Sequence, residues 1–432
     1  MTGDRAVGDI DLSDGRTFAK GFPHAHFTWA RANAPVYWHE PTASTPGGDG
    51  FWVVSRHEDA MSIMCTPETF SSDSGGGRKG GGTGIHDDPQ AGHTMIFMDD
   101  PKHKRFRSLV NKGFSARAIL ALEAELRRRM VGLIDALPEG EPFDFVACVS
   151  RDLPLQAICL LLGVPQEDRA ELAEWVDQGI ENSGGEIIGR EQFSKLRRYG
   201  SELIARKRQN LTDDVLSTII RARLEPGEEG HEGGSLTDRE LVNFFMLLFA
   251  AGAETTRGAI GGGLKALIDH PEQMEMLRSA DLMTTRVALE EILRWTTPSI
   301  YKRRTATRDV DLKGHTVREG DKVTYWEMSA NRDESVFDEP FRFDLKRAPN
   351  LHVAFGFGAH VCLGASLARL EMRVAFQELL ARIDSFKQEG PIDWMPSNRL
   401  LGIRHLPLSI RKRPEGRLHP AASGNGAVPA AN

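Results

Sequence analysis

The chain has 432 residues, a net charge of -7, 40% apolar and 27% charged residues, and only four cysteines. This is an ordinary globular composition, and its mild acidity argues against nucleic acid as the main partner. The scattered cysteines, with no C-x-x-C, exclude a zinc ribbon or thioredoxin-like site and fit a reducing cytosol.

No apolar signal region opens the chain. The longest apolar run, Leu241 to Ala253, is interrupted by Asn243 and is short of the ~20 residues a membrane span needs. These features predict a soluble, cytoplasmic protein without a membrane span.

Residues 1–20 read as a loose lead-in. "FWVVSRHEDAMSIM" reads as a strand followed by a helix. The glycine-rich run Ser71 to His93 cannot form regular structure cheaply. It is either a surface loop or a gate over a pocket. From Pro101 to Leu224 the pattern is mostly helical, with Phe106, Leu109, Val110 and Phe114 on one face. Gly184–Gly185 break that pattern.

Thr237 and Glu240 have capping-box spacing. The helix they open runs from Asp238 to Asp269, where His270-Pro271 stops it. At 1.5 Å per residue it is roughly 48 Å long. A further helix ends in "RVALEEILRW". Short strands and turns follow, and a last helix begins after Cys362. Residues 412–432 read as a disordered tail.

The stretch "HVAFGFGAHVCLG" sets Cys362 just before a helix start, where unpaired N–H groups favour a thiolate. Gly356 and Gly358 permit the positive φ of a tight turn. Phe355 and Phe357 offer flat apolar surface. A buried core cysteine is the plain reading, and it is applied to Cys65, Cys148 and Cys159. A dinucleotide loop fails because Val361 stands at the third glycine position. No Gly-Lys dipeptide occurs, so there is no phosphate-binding P-loop.

"FGFGAHVCLG" resembles the F-G-x-G-x-H/R-x-C-x-G signature of the haem-thiolate monooxygenases, the cytochrome P-450 family. Three further motifs appear in the same order, and the resemblance covers roughly residues 10–411. It implies a mainly α fold with a minor β portion, in which a helical bundle and small sheets surround a haem. It also implies one domain over 21–411.

The cofactor is then haem b, with Cys362 as iron ligand and Phe355 and Gly364 beside it. "AGAETT" resembles the family's acid–alcohol pair, so Glu254 and Thr255 handle protons during oxygen activation, while Ala251 and Gly252 leave room for oxygen. Threonine within a helix also bonds back to the carbonyl four residues earlier, here Ala251. In "EEILR", Glu291 and Arg294 match the buried structural pair, locked by Arg347. His103, Arg107, Arg304 and His360 match the groups that hold the haem propionates.

By family position Ile85, Phe97, Phe249, Ala250, Thr297, Ile300, Leu400, Leu401 and the 180s loop line the substrate pocket. They imply a small lipophilic substrate of sterol, terpenoid or fatty-acyl type. One departure is Gly356-Phe357-Gly358-Ala359-His360, where sterol-oxidising relatives often carry Gly-Gly-Gly-Pro-His. With no flavin or nicotinamide site evident, O2 chemistry draws its electrons from a ferredoxin and its reductase. Lys104, Arg105, Lys112 and Arg373 are the candidate docking cations. The rivals are a peroxide-using or rearranging haem-thiolate enzyme and a non-catalytic haem protein. Retention of Thr255 argues against both.

Overall fold

The computed structural model describes residues 10–73, 80–181, 190–224 and 233–414. Its largest sheet has five strands: β1 (Val36–His39), β2 (Phe51–Val54), β3 (Phe70–Ser71), β4 (Lys302–Ala306) and β5 (Lys322–Tyr325). Their order is β1-β2-β5-β4-β3. β5 is parallel to β2 and antiparallel to β4. One sheet therefore joins early and late parts of the chain, beside a mainly helical body.

Six helices position the site: α1 (Lys102–Asn111), α2 (Glu123–Ala136), α3 (Asp152–Leu162), α4 (Asp238–Asp269), α5 (Leu282–Thr296) and α6 (Ala365–Arg382). The expected capping box is formed at the start of α4. Glu240 N–H donates to Thr237 Oγ1, and Thr237 N–H donates to the Glu240 carboxylate. α4 packs on α3, α5 and α6. Three consecutive glycines, 261–263, let neighbours seat directly on its backbone. A Cβ at Gly263 would lie 2.7 Å from Ile292 and 2.8 Å from Phe376. Among the described residues no helix is long and apolar enough to cross a membrane.

The loose lead-in expected over residues 1–20 is packed from residue 10 onward. Leu12 and Phe18 are fully buried. Leu12 N–H donates to His39 Nε2 at 3.0 Å, and Asn398 Nδ2 donates to Ser13 O at 2.9 Å. Apolar contact and side-chain bonds to its backbone hold a segment whose composition alone gives little sign of order. Lys412, the first residue of the expected tail, instead ends a strand that runs through Pro407–Lys412. Residues 415–432, the Gly184–Gly185 break and the glycine-rich centre at 74–79 lie outside the described residues.

α6 carries a buried acid, Glu371, whose Oε2 has no hydrogen-bond partner. Burial holds its carboxyl well above the usual range, so the neutral form is the stable one in the fold. Its contribution is full at acid pH. It is lost as pH rises above the unfolded value, where only the unfolded chain gives up the proton. The isosteric Glu371→Gln variant is therefore expected to match the parent in thermal melts near pH 4, below the unfolded value of 4.5, and to exceed it at about pH 8. Parallel pH profiles for the two proteins would sink this reading.

Candidate active site

The segment before α6 is a tight loop with Cys362 at its inner end. Gly356 and Gly358 have φ of 66° and 71°. At Gly358 a Cβ would also come 2.8 Å from Met64 O, so only glycine lets the loop sit against the helix His57–Cys65. Cys362 N–H donates to Phe355 O at 2.8 Å and closes the turn. The Gly364 N–H is directed at the Cys362 sulfur.

Cys362 lies deep in the molecule, yet its surface is open. It therefore faces an interior space. Burial pushes its thiol up, opposed by the Gly364 N–H and then by the charges of Lys302, Arg107 and Arg369. A metal bound at the sulfur removes that proton outright.

Four nitrogen-bearing side chains gather beside the loop. The His103 and His360 rings are 4.0 Å apart. His103 Nδ1 lies 3.0 Å from Asp100 Oδ1, and His360 Nε2 lies 3.2 Å from Ser72 Oγ. Arg107 donates to Ala359 O and Val361 O at 3.2 and 2.6 Å. Arg304 is buried, with its guanidinium 5.5 Å over the Tyr325 ring. Burial, then the charges of Arg304, His103 and Arg107, drives the His360 imidazole down to about 2. The cluster is electropositive and suits bound carboxylates.

α4 presents the second open surface. Most of this helix is buried, yet Ala251 is exposed mid-helix and Leu247, Ala250, Gly252 and Thr255 are half-buried. Thr255 Oγ1 donates to Ala251 O at 3.1 Å, the bond expected for a threonine within a helix. Glu254 is buried and lies 3.6 Å from Arg257 Nη1, one turn on. Gly252 differs from expectation. A Cβ there would come 3.0 Å from Ile158, so its small size serves the contact with α3.

The E-x-x-R pair is fully buried. Arg294 Nε and Nη2 donate to Glu291 at 2.7 and 2.8 Å. Arg347 Nε lies 3.2 Å from the same carboxylate, as the third member. Of the expected substrate walls, Ile85, Phe249, Thr297 and Ile300 are sealed into packing, at 0–1% exposure. The Thr297 hydroxyl is occupied, donating to Arg294 O at 2.8 Å and accepting from Asn331 Nδ2 at 2.9 Å. Phe97, Leu400 and Leu401 keep 7–9% exposure. Among the docking cations, Arg373 is committed to Glu123 at 2.7 Å, while Lys104 and Lys112 are exposed.

Sequence reasoning passed over Leu247, four residues before Ala251 on the same helix face. It also passed over Lys302, two residues before Arg304 on the same face of β4. Lys302 Nζ lies 3.1 Å from the buried carboxylate of Glu327 and bonds Ser299 Oγ. Period-2 alternation from Arg304 was the available signal for it.

A profile of the Cytochrome P-450 family matches residues 188–409. The chain is 48% identical over 417 residues to "Putative cytochrome P-450 126" of Mycobacterium tuberculosis, covering 95% of this chain and all of that protein. It is 36% identical to a "Methyl-branched lipid omega-hydroxylase" of M. tuberculosis, over 89% of this chain and 90% of that protein. It is 34% identical to a "Steroid C26-monooxygenase" of M. tuberculosis, over 92% and 91%. The solved structure of Mycobacterium marinum cytochrome P-450 CYP268A2 in complex with pseudoionone superposes with a TM-score of 0.82 at 33% identity, over 94% of this chain and all of that one. The chain belongs to the cytochrome P-450 family and is one of its monooxygenases.

The donor set fits the family's haem-thiolate centre. One sulfur faces an interior space, a cation cluster sits beside it, and no cluster of three His, Cys, Asp or Glu is assembled for a bare metal ion among the described residues.

Proposed function

We propose that the protein hydroxylates a small lipophilic molecule of sterol, terpenoid or fatty-acyl type, using O2 and electrons from a ferredoxin and its reductase in the cytoplasm. The observation that carries this reading is Cys362: an open sulfur deep in the fold, with the Gly364 N–H directed at it.

Haem b bound here supplies oxygen activation through a thiolate-ligated iron. Cys362 holds the iron. His103, Arg107, Arg304 and His360 hold the propionates, and Phe355 and Gly364 shape the loop around the sulfur. Thr255, once released from Ala251 O, offers its hydroxyl proton to the interior. Glu254 passes protons inward from its pairing with Arg257. Leu247, Ala250, Ala251, Phe97, Leu400 and Leu401 form the apolar wall that admits substrate and excludes water. Lys104, Arg105 and Lys112 receive the acidic electron donor. The names of the lipid- and steroid-oxidising relatives support the substrate class. The 21–411 region acts as one unit, now extended by the packed lead-in and the strand ending at Lys412.

The test is turnover of a branched-lipid, terpenoid and sterol set with ferredoxin, reductase and nicotinamide, read by mass spectrometry. One class is expected to gain a single oxygen atom. Thr255→Ala is expected to keep consuming O2 while product per O2 falls by about ten-fold or more and hydrogen peroxide accumulates. Product formed only with added peroxide, and unchanged in Thr255→Ala, would replace this reading with a peroxide-using enzyme.

A further inference from the structure

Two arginines reach the loop around residues 81–87. Arg303 is fully buried, and its Nη1 donates to Asp87 Oδ1 at 2.7 Å and to Gly81 O at 3.3 Å. Asp87 neutralises its charge. Arg399 is half-buried, and its Nη2 donates to Thr83 Oγ1 at 3.0 Å. Its guanidinium lies so close to Gly84 that a Cβ there would come 2.8 Å from Nη1. Among the described residues Arg399 forms no ion pair with a carboxylate.

The backbone of Arg399 runs beside the apolar wall, while its guanidinium reaches Thr83 and Gly84. Its chain continues into Leu400 and Leu401, and its carbonyl accepts the Ile300 N–H at 3.3 Å. It is also separate from the cation cluster beside Cys362. Alternation along β4 turns Lys302 and Arg304 to one face, where their charges act on Cys362 and His360. Tyr301 and Arg303 take the other face. There the Tyr301 hydroxyl accepts the Ile85 N–H at 3.1 Å and feels the Arg399 charge.

A half-buried guanidinium with no carboxylate partner among the described residues, on a segment that continues into Leu400 and Leu401 of the apolar wall, is built to take an anion. Its planar fork matches a carboxylate in particular. We propose that Arg399 binds the terminal carboxylate of an elongated lipophilic substrate, with Thr83 fixing the orientation of the fork. The inference rests on the lipophilic-substrate reading above and narrows it. The substrate is an acid, and the oxidised carbon lies away from its charged end.

The experiment titrates the ferric holoenzyme with a long-chain methyl-branched fatty acid and, separately, with its methyl ester, following the low-spin to high-spin shift. The acid is expected to bind about ten-fold more tightly than the ester, equivalent to about 1.4 kcal/mol, and to lose that advantage at high salt. Arg399→Gln is expected to erase the preference while leaving ester affinity and the carbonmonoxy spectrum unchanged. In turnover it raises KM for the acid and leaves kcat in place. Arg399→Lys keeps part of the preference. Equal binding of acid and ester by the parent, or an acid preference that survives Arg399→Gln, overturns the proposal and leaves the lipophilic reading standing. No spectral shift with either compound, alongside an intact thiolate spectrum, overturns both.

Discussion

Serine at position 362 is expected to remove the strongly red-shifted carbonmonoxy Soret band of the reduced protein and to abolish monooxygenase turnover. The hydroxyl is a poor anion donor, whereas the loop is arranged around a sulfur. The Gly364 N–H points at it, and Lys302, Arg107 and Arg369 favour its charged form against the cost of burial. Loss of a group that merely orients a metal ligand costs about 10–100-fold in affinity or activity, so loss of the ligand itself costs more. The remaining cysteines supply the control. Cys159 is buried among apolar side chains, and burial pushes its thiol up to about 12. Cys65 ends the helix His57–Cys65 and is exposed. Alanine at either position is expected to leave the spectrum intact. A full red-shifted band in Cys362→Ser, read by difference spectroscopy, would return Cys362 to an ordinary loop cysteine.

The parts legible in the sequence are those set by local rules. The bounds of α4 follow from a capping box at one end and His270-Pro271 at the other, and the structure places them at Asp238 and Asp269. Three-residue spacing brings Glu291 and Arg294 onto one face, and the bond from Thr255 to Ala251 follows from helix geometry. The substrate wall was less legible, because exposure to an interior space depends on every neighbour at once. Phe249 and Ala250 are adjacent in sequence, yet Phe249 stacks on Phe245 and is sealed, while Ala250 is half-buried. Ile300 and Ile85 were consumed by a cluster with Phe18, Tyr301 and Trp326, which the reading of residues 1–20 as loose could not anticipate. Arg373 looked like a free docking cation until Glu123 on α2 took it. The same blindness applies to Arg399. Its meaning lies in which carboxylates are absent around it, and a linear sequence does not display neighbours.

Glu291→Gln is expected to be strongly destabilising, and more damaging than the loss of Arg347, the outer arginine it holds. Its carboxylate, fully buried, accepts from Arg294 twice, from Arg347, from Asn350 Nδ2 and from the Asp344 N–H. Arg332 lies nearby, and burial followed by the Arg294 charge holds its guanidinium well below the usual range, with Glu291 opposing. One anion thus serves three guanidinium groups. Glutamine keeps the shape but removes that charge, leaving buried cations against carbonyl dipoles such as those of Asn331 and Pro340. Breaking a buried pair in this way costs about 3–5 kcal/mol, or roughly 3–6 °C in Tm for a chain of this length. Arg347→Gln is milder, because Arg347 is 11% exposed and Arg294 retains its bidentate partner. The damage extends to the site because Asn331 joins the two regions: its backbone O accepts from Arg294, its Oδ1 accepts the Val353 N–H, and the Gly356 N–H donates to Val353 O. Thermal melts and haem content of the two variants decide the point. A Glu291→Gln protein that melts with the parent and retains its haem shows that the carboxylate's charge does not matter. An Arg347→Gln protein that melts lower than Glu291→Gln places the weight on the guanidinium instead of on the anion.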